Sequence, residues 1–295
     1  MKMTVRRTQI LSVMLACLLS LFAWQRWVHV QQEETNAQRS ALLFAPMTVA
    51  EITAIELTNA SGGLRIERTA QEAHESSQWR IVQPIAVAAD EEAVMTLLEQ
   101  MLAAPLRPIA DVTPTLCGLE PLRYRLRLVS ATGTAAADFG MRSAFSDELY
   151  ARMPAGTVGL TRGSLVYQLE RNVYQLRDKR LLRVAPDAVR RITIVTTDRV
   201  SLDAAQSASL LAELANVRAQ RFVTETPSAE EFQNSGLARP SLQVELELED
   251  NSTRALRFAA AAICRAAVMP QGPIMELTSC RIIDELRTVV NTAAR

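Results

Sequence analysis

"LFAPMTVAEITAIELTN", residues 43–59, is answered by "RVAPDAVRRITIVTT", residues 183–197. Ala45-Pro46, Val49, Ile52 and Thr53 match Ala185-Pro186, Val189, Ile192 and Thr193 at a constant offset of 140. The match continues downstream in the same order. "ADEEAVMTLLEQML" from Ala89 sets Val94, Leu97, Leu98 and Met101 at helical spacing behind an acidic first turn, and "LDAAQSASLLAELANV" from Leu202 repeats the pattern with Leu210, Leu211 and Leu214. "CGLEPLRYRLRLV" from Cys117 and "SGLARPSLQVELELE" from Ser235 each place a Gly-Leu turn and a proline before strict alternation, the signature of a half-buried strand. "YARMPAGTVGLTRGSLVYQL" from Tyr150 and "RAAVMPQGPIMELTSCRIIDEL" from Arg265 each read as a hairpin around a Pro/Gly turn followed by a helix.

Strands and helices that come in runs predict an α+β unit, an antiparallel sheet with helices packed on one face. Two tandem copies are expected, repeat 1 over residues 42–180 and repeat 2 over 181–295, divided near "LRDKRLLRVAP". The offset shrinks along the chain, so repeat 2 is the shorter. The segment it lacks corresponds to "GGLRIERTAQEAHESSQWRIVQP" of repeat 1.

Before the repeats lies "TQILSVMLACLLSLFAWQ", an uncharged stretch between Arg7 and Arg26. As a helix it is long enough to span a hydrocarbon core of about 30 Å. Lys2, Arg6 and Arg7 precede it and Trp24 and Trp27 sit at its far end, a pattern that keeps residues 1–7 cytoplasmic and everything beyond the anchor, residues 8–28, outside. Residues 29–41 then form a polar linker. A cleaved signal peptide and a lipoprotein modified at Cys17 are the alternatives.

Lys plus Arg and Asp plus Glu are both 32, a balance that draws in neither nucleic acid nor an anionic membrane surface. Four cysteines and two histidines fall in no metal-ligand spacing, and no cofactor is expected. His29, beside the membrane, and His74, in the polar run "QEAHESSQ", are expected as solvated surface residues. No nucleophile elbow, Walker loop or dinucleotide fingerprint occurs, and Gly163 in "GLTRGSLV" is turn punctuation. Glu91-Glu92 and Glu230-Glu231 lie in helix first turns, where negative charge complements the dipole. No catalytic residue is assigned. Trp79 is expected in a core and Cys117 as a small buried apolar residue.

Two features point to structure or binding. Cys264 and Cys280 face each other across the "MPQGP" turn, either as a disulfide or as two buried thiols. "LRYRLRLV" puts Arg123, Arg125 and Arg127 on one face, and "LQVELELE" puts Glu245, Glu247 and Glu249 on the equivalent face of repeat 2. Such opposed faces suit a partner, or each is a solvated face balanced by its neighbouring strands.

Through the apolar N-terminal stretch, "SQWRIVQPIAVAADEEAVMTLLEQML", "CGLEPLRYRLRLVSATG" and "VYQLRDKRLLRVAPDAVRRITI", the chain resembles the bacterial family designated domain of unknown function 4340, over roughly residues 40–260. That resemblance implies a single-pass inner-membrane protein with its bulk in the periplasm, often encoded beside ABC transporter components of gliding-motility or polysaccharide-export type. It carries no catalytic residues over. The expected function is a non-enzymatic accessory or scaffold subunit of an ABC-type export system. A free-standing module for cell-envelope polysaccharide is the alternative, and a hydrolase using a carboxylate pair the remote one.

Overall fold

The computed structural model describes residues 41–44, 47–69, 77–110, 112–197, 199–202, 204–260, 263–270 and 272–293, together with Ser20, Trp24 and Arg26. Apart from those three residues, the expected cytoplasmic tail, anchor and linker up to residue 40 lie outside the described residues, as do Ala45, Pro46 and His74. Among the described residues no helix is long and apolar enough to cross a membrane.

The chain is α+β, with two antiparallel sheets. Its elements begin with β1 (Ala41–Leu42), β2 (Ile52–Asn59), β3 (Gly62–Arg68), β4 (Trp79–Gln83), β5 (Val87–Ala88), α1 (Glu91–Leu102) and β6 (Pro105–Pro108). Next come β7 (Tyr124–Ser130), β8 (Gly133–Arg142), β9 (Glu148–Arg152), β10 (Val158–Arg162), α2 (Val166–Leu169) and α3 (Val173–Leu176). After these follow β11 (Val189–Val195), β12 (Arg199–Ser201), α4 (Ala204–Asn216), β13 (Ala219–Thr224), α5 (Ala229–Asn234), β14 (Leu242–Leu248), β15 (Thr253–Ala259), β16 (Arg265–Met269), β17 (Ile274–Leu277) and α6 (Arg281–Ala293). Two compact units result. The first holds residues up to Glu67, Val82–Ile85 and Glu92–Gln175; the second holds Arg68–Ile81, Ala86–Glu91 and everything from Leu176 onward. Of the stretch expected to be missing from repeat 2, Arg68–Ile81 thus belongs to the second unit, while β3, which opens that stretch, has a counterpart in β12 beside β11 and is not missing.

Within the first unit the strands run β1-β6-β10-β9-β8-β7-β2-β3, and the second sheet runs β12-β11-β14-β15-β16-β17-β13. Read from β3 and from β12, seven strands of the first order correspond to the seven of the second, with β1 additional beyond β6. In each, the strand that follows the long helix (β6 or β13) joins the far side of the sheet, against β10 or β17. The turn before β7 has Gly118 at φ +68°, and the turn before β14 has Gly236 at φ +80°, a backbone region glycine enters without steric cost. The pairing register corrects the offset read from matching letters. Ile55 faces Leu128 of β7, and Ile192 faces Leu246 of β14. A bulge falls just before each of these, between Ile52 and Ala54 and between Val189 and Arg191. Ile55 therefore corresponds to Ile192, an offset of 137, and the 3-10 turn Val49–Glu51 to Pro186–Ala188.

Period-2 alternation positions each core. In β14, Leu242, Val244, Leu246 and Leu248 are buried, and in β7, Leu126 and Leu128 are. α1 buries Val94, Leu97, Leu98 and Met101. In the second unit Leu210, Leu211 and Leu214 of α4 and Ile282, Ile283, Leu286 and Val290 of α6 pack on the face carrying Leu246, Leu256, Phe258 and Met275. The helices are not confined to one face. Ala259, Ala267 and Ile274 point to the opposite side of the second sheet, and Leu237 and Phe232, the latter on the short α5, cover them. Apolar residues on both faces of β15–β17 require cover on both sides.

Candidate functional site

The arginine alternation of β7 does not stand alone in its sheet. Arg125 donates from Nε to Asp138 of β8 at 2.7 Å and from Nη2 at 3.1 Å. Arg127 donates to Glu56 of β2 at 2.8 Å, and Arg65 of β3 holds the other oxygen of the same carboxylate. Arg152 of β9 reaches Asp138 and Glu120, each at 3.1 Å. Arg123 lies just before β7 and is exposed, as Arg125 and Arg127 are. The open face is thus a row of alternating sign, because β2 and β8 carry acids where β7 carries bases: Glu56 opposite Arg127 and Asp138 opposite Arg125. Burial alone would raise the Asp138 carboxyl, but its hydrogen bonds from Arg125 and Arg152 outweigh this and hold it below the usual carboxylate range.

The glutamates of β14 are balanced in the same way. Glu245 lies 3.1 Å from Arg199 of β12 and accepts from Gln243 at 3.0 Å, and Gln243 in turn accepts from Arg257 of β15 at 2.9 Å. Among the described residues Glu247 has the looser company of Arg190 at 3.8 Å and Arg191 at 3.7 Å. Glu249 falls just past β14, where its backbone N–H donates to the Ala188 carbonyl. The alternation singled out these residues but not their strongest neighbour, Glu276 of β17. Arg221 holds it through two hydrogen bonds of 2.8 and 2.9 Å, which keep its carboxyl below the usual range, and Arg265 approaches to 3.7 Å.

A second polar cluster lies in the segment that reads in sequence only as a boundary. The Asp178 side chain, 2% exposed, accepts from Arg180 N, Nε and Nη2 at 2.9, 3.0 and 2.8 Å, with Arg183 at 3.8 Å. Arg177, whose side chain is 4% exposed, makes a bidentate pair with Glu225 and stacks on Phe222. Charges this deep persist only when paired and hydrogen-bonded. The backbone is stitched on both edges: Asp178 N–H donates to Ala88 and Asp90 N–H to Leu176, while Ala219 N–H donates to Lys179 and Leu181 N–H to Val217. Four charged residues in a row between leucines, "LRDKRLL", are the signal that could have identified it.

Cys264 and Cys280 are joined as a disulfide, their Cα atoms 5.5 Å apart. The bridge ties the chain just before β16 to the residue that precedes α6. Cys117 is free and buried, and burial pushes its thiol up. Trp79 is 1% exposed, with the Arg68 guanidinium 4.7 Å above its ring. Glu91 accepts from Gln78 N–H at 2.9 Å and from Ser77 Oγ at 3.2 Å, and Glu231 forms a capping box with Ser228. Gly163 opens a 3-10 turn. One carboxyl pair was not legible: Glu213 of α4 meets Glu285 of α6, and sharing a hydrogen bond with that second carboxyl raises it. Arg281 pairs with Glu285 beside it. Among the described residues no three His, Cys, Asp or Glu side chains are grouped to hold a metal ion.

No protein-family model, no curated protein and no solved structure matches this chain.

Proposed function

We propose that the chain is a non-enzymatic, single-span accessory subunit whose two exterior units, copies of one ancestral module, brace the outer face of an ABC-type export complex. The observation that carries this reading is the same seven-strand order built twice, with the ionic side chains of both open faces engaged in intramolecular pairs. Groups committed in this way serve rigidity and solubility and leave few free for chemistry. The exterior placement rests on the uncharged N-terminal stretch and the basic residues before it, and a Cys264–Cys280 bridge accords with an oxidising compartment. The partner class rests on the family resemblance.

Affinity purification of the intact protein from its native membrane in mild detergent, with mass spectrometry of the eluate, tests the proposal. Stoichiometric recovery of transporter subunits is the expected result. Recovery of the protein alone, under conditions that preserve other membrane complexes, overturns it.

A polysaccharide-binding module is the second reading. It is favoured by aromatic side chains on the first unit's surface, Phe145 at 97% and Tyr167 at 66% exposed, of the kind that stack on sugar rings. Retention of the protein on envelope polysaccharide, lost on replacing both rings by alanine, would select it.

A further inference from the structure

The core face of the second sheet is not wholly covered by α4 and α6. Beside them lies a cavity of about 420 Å³, within the range of small-molecule sites, lined by strand residues, the β16–β17 turn and the segment Leu181–Val184. Its floor is apolar: Leu246, Leu256, Val268 and Met275, from four adjacent strands. Its rim carries two arginines, Arg183 and Arg254. Arg183 approaches Asp178. Arg254 is half-buried, and among the described residues its side chain has no ion pair or hydrogen bond.

That pairing state is unlike the neighbouring sheet positions. Arg221, Arg257 and Arg265 each have a partner, so a half-buried guanidinium facing an apolar hollow is a departure from the rule this sheet follows. The first unit makes the contrast sharper. Arg254 faces Leu246 on the adjacent strand, as Ala135 faces Leu128, so the first unit has a small apolar side chain at the matching register. The cation is thus a feature of the second unit and not of the shared fold.

We propose that this cavity binds a single-chain amphipathic anion, an unbranched acyl chain lying over Leu246, Leu256 and Val268 with its acidic head on Arg254. Burial of the chain supplies the affinity, and the guanidinium fixes its orientation and gains the partner it lacks. The same chemistry is offered by a free fatty acid and by an acyl chain of an anionic membrane lipid.

The test uses the full-length chain in nanodiscs of zwitterionic phosphatidylcholine, titrated with carboxyl-labelled dodecanoate and followed by NMR against empty discs. One saturable site is expected, with dodecanol bound roughly tenfold more weakly because it offers no charge to the guanidinium. Arg254→Gln should weaken dodecanoate by about the same factor and leave dodecanol unchanged. Val268→Trp should block both, and Arg254→Gln, a change at the rim, remains decisive if the tryptophan variant fails to fold. Equal affinity for acid and alcohol, an Arg254→Gln variant that binds dodecanoate as the parent does, or uptake no greater than that of empty discs would overturn the proposal. Repeating the titration in discs containing phosphatidylglycerol identifies the source: displacement of dodecanoate assigns the site to a membrane lipid, and its retention to the free acid.

Discussion

The guanidinium carbon of Arg177 lies 3.2 Å from the centre of the Phe222 ring while its two terminal nitrogens hold Glu225. The arginine is buried and the carboxylate is partly exposed, so the pair is asymmetric. Glu225→Ala strands a desolvated cation and should cost about 2–4 kcal/mol, toward the lower end because water reaches the site. Arg177→Met keeps an apolar body over the ring and should cost less. Urea denaturation of the two variants gives the comparison directly, and an Arg177→Met variant less stable than Glu225→Ala would refute the asymmetry.

The Cys264–Cys280 bridge closes a loop of 16 residues in sequence separation. In the loop-entropy account that closure is worth about 3 kcal/mol. Cys264→Ser with Cys280→Ser should lower the stability of the second unit by roughly that amount. The parent under reducing agent should follow the double variant, and a melting temperature indifferent to both treatments would exclude a structural role for the bridge.

Asp138 ties the stability of the first unit to pH on the acid side. Its folded pKa lies below the unfolded value of about 3.9. A depressed carboxyl stabilises fully above its unfolded pKa and loses that contribution as pH falls through the folded one. Glu148, whose burial is outweighed by Arg107, and Glu276, held by Arg221, act with the same sign. Stability should therefore decline below about pH 4, and Asp138→Asn should flatten part of that decline. Urea midpoints measured from pH 6 downward check both statements.

Glu213 has the opposite sign. Its folded pKa is raised by Glu285, so ionisation is penalised in the folded state and stability is lost as pH rises through the carboxylate range. Glu213→Gln should raise the melting temperature at pH 7, by an amount that fades at acid pH where the parent carboxyl is itself protonated. A gain equal at both pH values would place its origin in packing instead.

The long helix and the alternating strands were legible because their burial repeats with the period of the local structure: Val94, Leu97, Leu98 and Met101 in one case, Val244, Leu246 and Leu248 in the other. The register was not. Ala-Pro and Val recur at 140, yet the pairing with β7 and β14, with a bulge at the same place after Ile52 and after Val189, sets the structural correspondence three residues away, and cross-strand register leaves no mark in the letters. β6 was illegible because Pro105 and Pro108 bound a four-residue strand, set between the two-residue β1 and β10, that local propensity does not favour. The charged faces could be seen but not their balance. Arg127 and Glu56 are 71 residues apart, and only the sheet order makes them neighbours.

The claim on which the account rests is that one seven-strand module is built twice, with Glu56 opposite Arg127 in the first sheet and Thr193 opposite Glu245 in the second. Paired cysteines read this directly, since directly opposed strand residues fall within disulfide reach. Glu56→Cys with Arg127→Cys, and Thr193→Cys with Glu245→Cys, should both cross-link on mild oxidation, while Thr196→Cys with Glu245→Cys, the pairing an offset of 140 would demand, should stay reduced. Cross-linking of Thr196 and not Thr193 to position 245, or failure of the first pair, would contradict it.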